Sequence, residues 1–322
     1  MSEQWILDAS AKTDPAHGCA PEERSIEQLL CAAVILLDKP SGPSSHQLAA
    51  WAKDLIGLEK MGHGGTLDPF ATGVLPLLLG KTMRLTGAML GHDKCYIAVM
   101  RFSDAPGGDE LDSATAALKG RIYNVPPEIS AVKIQVRTRT VSVFEVLEIE
   151  GRYAVMKIEC EAGTYIRTIA RDLGLLIAQD VELVELRRPY SGDFDERHCV
   201  TMGTITDAFW LWRTKSDESA LHKILLPIET LVEGFPQVVV KDAAVGAISH
   251  GAPLARPGVV SASKGVSKGE TVRIMTLKGE VIALAELIVD SDSMQQMSSG
   301  EVAKSQSVLM DIDVYPRAWK SE

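Results

Sequence analysis

The sequence has no paired cysteines, no long apolar run and no surplus of positive charge. Its five cysteines, Cys19, Cys31, Cys95, Cys160 and Cys199, are odd in number and widely scattered, without a C-x-x-C pair. That pattern argues against a disulfide framework and a thiolate zinc site, and fits a reducing, cytoplasmic compartment. The longest apolar stretches fall well short of the ~20 residues a membrane-spanning helix needs. "MSEQWILDASAKTDPAHGCAPEERS" lacks the basic start and apolar segment of a secretion signal. Neither secretion nor membrane insertion is expected. The 33 Lys and Arg against 43 Asp and Glu leave a formal net charge of -10. This weighs mildly against a nucleic-acid partner, because phosphate binding usually shows as an excess of Lys and Arg.

What is present suffices for two domains: 322 residues, 46% of them hydrophobic, against a prior of roughly 100–200 residues per domain. Residues 1–32 mix Pro, Gly, Ser and charges without clear periodicity and read as an N-terminal extension, an arm or a frayed end. "AAVILLDKP" is an apolar run of strand length closed by the turn residues of "KPSGPSS". "SSHQLAAWAKDLIGL" reads as a helix capped by Ser44 with Gln47 three residues on, and with Leu48, Trp51 and Leu55 on one face. "CYIAVMRF" and "RYAVMKIECEAG" look like strands of one sheet, the second placing Ala154, Met156, Ile158 and Cys160 on one face. In "TYIRTIARDLGLLI" a buried helical stripe runs through Ile166, Ile169, Ala170, Leu173, Leu176 and Ile177, leaving Arg167 and Arg171 on another face. From about Gln237 the texture changes to short strands with glycine turns, including "QVVVKDAAVGAISHGAPLARPGVV" and a hairpin folded at Lys278 and Gly279.

One stretch concentrates chemistry. "GHGGTLDPFATGVLP" sets glycines at 62, 64 and 65 around His63, then places a single carboxylate, Asp68, before Pro69. Glycines permit positive φ and close approach of a ligand to bare backbone, although a tight turn is their commoner use. A residue before proline is biased to an extended backbone, which fixes the direction of the Asp68 side chain. "LGKT" at 79–82 ends like a phosphate-binding Walker loop, but the required earlier glycine falls at Leu75, so that reading fails on spacing. His63 and Asp68 have no third ligand nearby in sequence, so no metal is expected. The remaining alternatives are a turn-forming aspartate and a lone carboxylate acting as nucleophile without a cofactor. Basic residues gather in two places, Arg121, Lys133, Arg137 and Arg139 against a lone Glu128, and the pair Arg187 and Arg188.

The ordered strings carry a resemblance. "GHGGTLDPFATGVLP" closely resembles the catalytic motif of the TruB family of RNA pseudouridine synthases, and "LLDKPSGPSSH" that family's preceding Lys-Pro motif. "EAGTYIRTIARDLG" is similar to its arginine motif and "ELRRPYSGDF" to its leucine motif, in the expected order. "NVPPEISAVKIQVRTRTVSVFEVLEIEG" is similar to the archaeal and eukaryotic, dyskerin-like branch, and the segment from about 237 to 315, with "SHGAPLARPGVV", resembles a PUA domain. The absence of a lysine-rich tail after "YPRAWKSE" points to the archaeal form. The resemblance spans roughly residues 33–319; Ser44, where the family more often has threonine, and "SDAPGGDELD" depart from the common pattern.

The resemblance implies an α+β architecture: a pseudouridine synthase fold over 33–236, with a mixed, largely antiparallel sheet and flanking helices. A small β-barrel-like PUA domain over 237–315 and a short tail at 316–322 follow. It implies isomerisation of uridine to pseudouridine in rRNA or tRNA without a cofactor, as the catalytic subunit of an H/ACA guide RNA particle with small accessory proteins. Asp68 would be the nucleophile or base, with Tyr96 holding the flipped base, Arg167 orienting the carboxylate, Leu186 packing at the base pocket and His63 near the flipped nucleotide. Lys39 and Pro40 would support the catalytic loop. Lys133, Arg137, Arg139, Arg187 and Arg188 are candidate phosphate contacts, and the loop from His250 through Gly251 to Gly258 a candidate holder of the guide. Two other readings stand beside this one: a guide-independent synthase acting on tRNA, and a non-catalytic RNA-binding scaffold.

Overall fold

The apolar runs become strands wherever turn residues bound them, and helices wherever the apolar period lengthens. The computed structural model describes residues 3–87, 91, 93–126 and 135–316. Its strands are β1 (Gln4–Ile6), β2 (Ala33–Lys39), β3 (Met61–His63), β4 (Thr72–Leu79), β5 (Lys94–Phe102), β6 (Gly120–Asn124), β7 (Arg137–Glu150), β8 (Tyr153–Cys160) and β9 (Val181–Ser191). They continue with β10 (Phe194–Asp195), β11 (Leu226–Pro227), β12 (Gln237–Val240), β13 (Leu254–Ala255), β14 (Val259–Ser263), β15 (Thr271–Met275), β16 (Val281–Leu287) and β17 (Glu301–Val308). Two compact units result: one of Ile35–Leu78 and Thr86–Ile224, the other of Met1–Val34, Leu79–Leu85 and Leu225–Glu322.

The first unit is built on a mixed sheet whose path includes β2-β4-β9-β5-β8-β7-β6. β5 lies between β8 and β9, antiparallel to both, while β4 meets β9 in parallel at Thr72 and Gly73. Alternation sends Ala154, Met156, Ile158 and Cys160 of β8 to one face, as the sequence pattern predicts, and all four are buried. The helices Gly108–Ala117 and Ile166–Leu176 contribute Leu111, Ala114, Ile169 and Leu173 to the same core. Each Leu, Ile or Met among them stabilises the unit by about 1.5–3 kcal/mol by taking apolar surface out of water.

Ser44 caps the helix Ser45–Ile56 with a complete capping box, and Gly57 ends it in the left-handed region, φ 82°. Two side chains depart from the expected stripes. Trp51 is exposed, because the buried face runs through Ser45, Leu48, Ala49, Ala52 and Ile56, which leaves position 51 outside it. Leu176 is exposed at the last turn of its helix, where the stripe passes to Ile177.

The second unit carries a seven-stranded sheet in the order β1-β14-β12-β15-β16-β17-β13. β15 and β16 form the expected hairpin, with Gly279 at φ 83° in its turn. "DAAVGAIS", expected among short strands, is a helix, Asp242–Ser249, whose Val245 and Ile248 enter the core; apolar residues at i and i+3 satisfy a helical period that a glance for glycine turns misses. Residues 3–32 are not a frayed arm. Gln4–Ile6 pairs with Ser261–Ser263, Trp5 Nε1 donates to Asp292 Oδ1 at 2.7 Å, and Ser25 caps the helix Ile26–Cys31. Arg24 makes a two-pronged ion pair with Glu229 at 2.8 Å. Composition alone does not reveal this order, since its partners lie more than 200 residues away. Among the described residues no helix is long and apolar enough to cross a membrane.

Candidate active site

The loop between β3 and β4 is held from below before any ligand is considered. The Lys39 side chain is fully buried, and its Nζ donates to the carbonyl oxygens of Pro40, Pro69 and Ala71 at 2.9, 2.9 and 2.8 Å. Gly42 N donates to Pro69 O at 2.9 Å. Ser45 Oγ accepts from Leu67 N at 2.9 Å and donates to Leu67 O at 3.2 Å, which pins the residue before Asp68. From the other side Arg188, 1% exposed, donates to Gly65 O at 3.1 Å and twice to Val74 O. Of the three loop glycines, only Gly65 takes a positive φ, 122°. Gly73 also needs to be glycine: its φ is 103°, and a Cβ there would overlap the Arg188 carbonyl.

Asp68 emerges from this frame toward the helix Ile166–Leu176. Arg167 Nη2 donates to Asp68 Oδ1 at 2.8 Å, with both side chains about one-third exposed (32% and 31%). The first turn of that helix is itself fixed by Asn124, a buried residue at the end of β6. Its Oδ1 accepts from Tyr165 N at 2.9 Å and its Nδ2 donates to Tyr165 O at 3.3 Å, while Thr168 Oγ1 donates to Val125 O at 2.6 Å. Sequence reasoning missed Asn124, and the only signal was a small amide at a strand end before "VPP".

Asp68, Tyr96, Arg167 and Leu186 all line one cavity of about 300 Å³, with Lys94, Thr164 and Arg188 also on its wall. Tyr96 is 7% exposed, and burial pushes its hydroxyl above the ordinary phenol range. A strand tyrosine with a solvated hydroxyl is therefore not what the fold holds. Lys94, also missed in the sequence, sits two residues before Tyr96 on the same face of β5. Burial, then the nearby Arg188 guanidinium, pushes it down to about 8. The cavity thus combines one carboxylate, an apolar and aromatic wall, and three basic side chains.

Of the other sequence candidates, Arg188 lines this cavity from beneath and the rest fall elsewhere. His63 is not among the cavity-wall residues; its ring meets His46 edge-on at 4.7 Å, and its buried Nδ1 has no hydrogen-bond partner among the described residues. Burial, with His46 and Arg188 nearby, pushes it down to about 4. Arg188 is buried rather than facing outward, and Arg187, 39% exposed, is already paired with carboxylates. Arg187 donates to Glu196 at 2.6 Å and to Asp38 at 3.1 Å, and Arg188 is buried against main-chain oxygens. Both lie on β9, where alternation cannot be read from two adjacent basic residues. Arg137 is exposed at the start of β7; Arg139 donates to Thr138 O and packs beside Gly163, a residue of the cavity wall. Lys133 lies outside the described residues. In the second unit, His250 Nδ1 is 2.7 Å from Gly246 O, Gly251 has φ 87°, and Gly258 lines a cavity of about 300 Å³ beside the helix Asp242–Ser249. A larger cavity in the same unit, about 370 Å³, has both its cations already paired, Arg24 with Glu229 and Lys81 with Asp311. Among the described residues no three His, Cys, Asp or Glu side chains gather as a metal site.

Known proteins resemble this chain in sequence and in fold. Residues 53–106 match the TruB family pseudouridylate synthase N-terminal domain, and 167–233 the tRNA pseudouridylate synthase B C-terminal domain. Residues 2–49 match a DKCLD domain and 236–309 a PUA domain. The probable tRNA pseudouridine synthase B of Methanopyrus kandleri is 40% identical over 98% of this chain and 94% of its own length. That of Pyrobaculum arsenaticum is 41% identical over 96% and 93%. The fold is similar to a chain in an H/ACA RNP bound to a substrate RNA containing 2'-deoxyuridine, with TM-score 0.90, 39% identity and coverage of 99% and 98%. It is also similar to a chain in a Cbf5-Nop10-Gar1 complex, with TM-score 0.89, 40% identity and coverage of 98% and 97%.

Proposed function

The chain belongs to the TruB family of pseudouridine synthases, and from that membership we propose that it converts uridine to pseudouridine in rRNA and tRNA as the catalytic subunit of an H/ACA guide particle. The observation that carries the chemistry is the Asp68–Arg167 pair, facing a cavity also walled by Tyr96 and Leu186. The reaction breaks the C1'–N1 bond, turns the base and rejoins it through C5. Its sugar becomes electron-deficient at C1', and a carboxylate held beside it lowers that barrier by charge or by bonding. One acid suffices because the base never departs. The cavity requires the target uridine to leave the helical stack, with the Tyr96 ring as its wall.

Guide dependence is supported by the DKCLD and PUA matches at the two ends and by likeness over nearly the whole chain to proteins solved within H/ACA particles. Small accessory proteins of the kind seen with those relatives are part of the proposal, as are a catalytic domain over 33–236 and a guide-holding PUA domain over 237–315. The free thiols suit work in the cytoplasm. A second reading, unguided action on tRNA, has the names of the curated relatives in its favour.

The test is a reconstituted particle given an rRNA fragment with and without guide, and the bare protein given tRNA. Guide-dependent product with wild type, and none with Asp68→Asn at undiminished RNA binding, is the expected result. Product from Asp68→Asn would refute the role of the carboxylate, and equal rRNA product without guide would refute guidance.

A further inference from the structure

Breaking the C1'–N1 bond leaves its electron pair on the base. The detached uracil is then an anion, its charge shared among N1, O2 and O4, while C1' is electron-deficient and faces Asp68. When C5 gives an electron pair to C1', its hydrogen leaves as a proton and N1 gains one, so the sum is an isomerisation. Between these events the anion must turn within the cavity. Asp68 is a carboxylate and offers it nothing; a positive group near its oxygens stabilises it best.

The three basic residues of the wall are not equivalent. Arg167 is engaged by Asp68 at 2.8 Å, and Arg188 is held by Gly65 O and Val74 O in a fixed fork. Lys94 is different in kind: a compact ammonium on a four-carbon stem, whose donors are not confined to one plane as those of a guanidinium are. It is 5% exposed, lies on the face of β5 that presents Tyr96, and shares the cavity wall with Tyr96, Leu186 and Asp68. We propose that Lys94 is a further functional residue of this site, an ammonium that holds the negative charge of the detached uracil while the base turns. No proton passes through it; its part is electrostatic, from an ammonium only 5% exposed, where a charge counts for more than in bulk water. The inference rests on the synthase reading above.

Titration gives it a signature. Facing Lys94 are Arg188 on β9, Cys160 on β8, Asp93 beside it and Tyr96 two residues on. The thiol is pushed up to about 12 and the phenol upward, so neither changes charge near pH 8, where the depressed lysine itself gives up its proton. The experiment compares single-turnover pseudouridine formation by wild type, Lys94→Met and Lys94→Arg in the full-length protein with its RNA. Lys94→Met should be slower by about a hundredfold, the loss typical of removing one donor to a developing anion, with RNA affinity within about threefold. Lys94→Arg should recover part of that loss. The ratio of wild-type to Lys94→Arg rate should fall as pH rises through about 8, because the guanidinium keeps its charge; titration of the substrate is common to both and cancels. A wild-type rate in Lys94→Met, or a flat ratio, overturns the proposal. If Lys94→Met does not fold, as judged by thermal melting, the pH ratio of the arginine variant decides, since a merely structural lysine would not move it. Failure of wild type to make any pseudouridine would instead remove the synthase reading itself, a result distinct from equal product by wild type and Lys94→Met.

Discussion

Arg167 Nη2 and Asp68 Oδ1 lie 2.8 Å apart, joining two residues 99 positions distant in the chain through one charge-assisted hydrogen bond. Neither end of that bond is placed by its partner. Asp68 is aimed by a loop tied to Lys39, Ser45 and Arg188, and Arg167 by a helix start tied to Asn124. The pair is a meeting of two independently fixed supports, so its geometry is set before substrate arrives.

Arg167→Lys keeps the charge and loses the planar fork. The ammonium cannot reproduce the direction of the guanidinium, and a misaimed carboxylate should lower the single-turnover rate by about a hundredfold. Both side chains are about one-third exposed, so the melting temperature should move by no more than about 2 °C. Rapid-quench kinetics and thermal denaturation on one preparation separate these effects. A large loss of stability with an unchanged rate would mean that the pair holds the fold rather than the chemistry.

Lys39→Met should do the reverse. Its buried ammonium bonds three main-chain carbonyls, and methionine fills the space while removing the donor from Pro40 O and Ala71 O; Pro69 O keeps its bond from Gly42 N. A destabilisation of about 3 kcal/mol is expected, from loss of bonds to a charged donor and from the orphaned oxygens. Urea unfolding measures it. A change below about 1 kcal/mol would show that solvent or a shifted loop satisfies those oxygens.

These two residues mark what was legible in the sequence. The lone acid, its loop and the Lys-Pro support lie within one local string, and local strings carry turn and strand preferences that survive folding. The strand and helix faces of β8 and of Ile166–Leu176 were readable for the same reason, apart from a terminal leucine. Lys94 and Asn124 were not, because each gains its meaning from neighbours brought in by sheet register and helix packing. The burial of Arg188 is not legible because adjacent basic residues look like a surface, whereas β9 leaves Arg187 partly exposed against two carboxylates and buries Arg188 under the loop. The order of residues 3–32 was invisible for want of partners near in sequence.

His63 gives a pH dependence to stability. Its folded value is pushed from 6.5 down to about 4, chiefly by burial, so the folded chain refuses a proton that the unfolded chain accepts. Its contribution is complete above pH 6.5 and is lost progressively as pH falls toward 4. Wild type should lose roughly 2–3 kcal/mol more than His63→Gln over that interval. Parallel urea titrations of the two proteins check this. Coincident pH curves would mean that the imidazole is hydrated and titrates normally in the folded state.

The basic residues divide into those that hold the protein and those free to meet phosphate, and salt dependence tells them apart. Each phosphate neutralised by a side chain adds about one unit to the slope of log affinity against log salt. Arg137, exposed at the start of β7, is placed for such a contact, so Arg137→Ala should reduce the slope by about 1 with little change in melting temperature. Arg188→Met should leave the slope unchanged, since a guanidinium 1% exposed and bonded to Gly65 O and Val74 O has no access to a phosphate. It should instead lower stability by about 3 kcal/mol, through orphaned carbonyls beneath the loop. Filter binding at several salt concentrations, alongside thermal melts, gives both quantities for each variant. A reduced slope for Arg188→Met at unchanged stability would mean that the loop opens in solution and exposes the arginine to RNA.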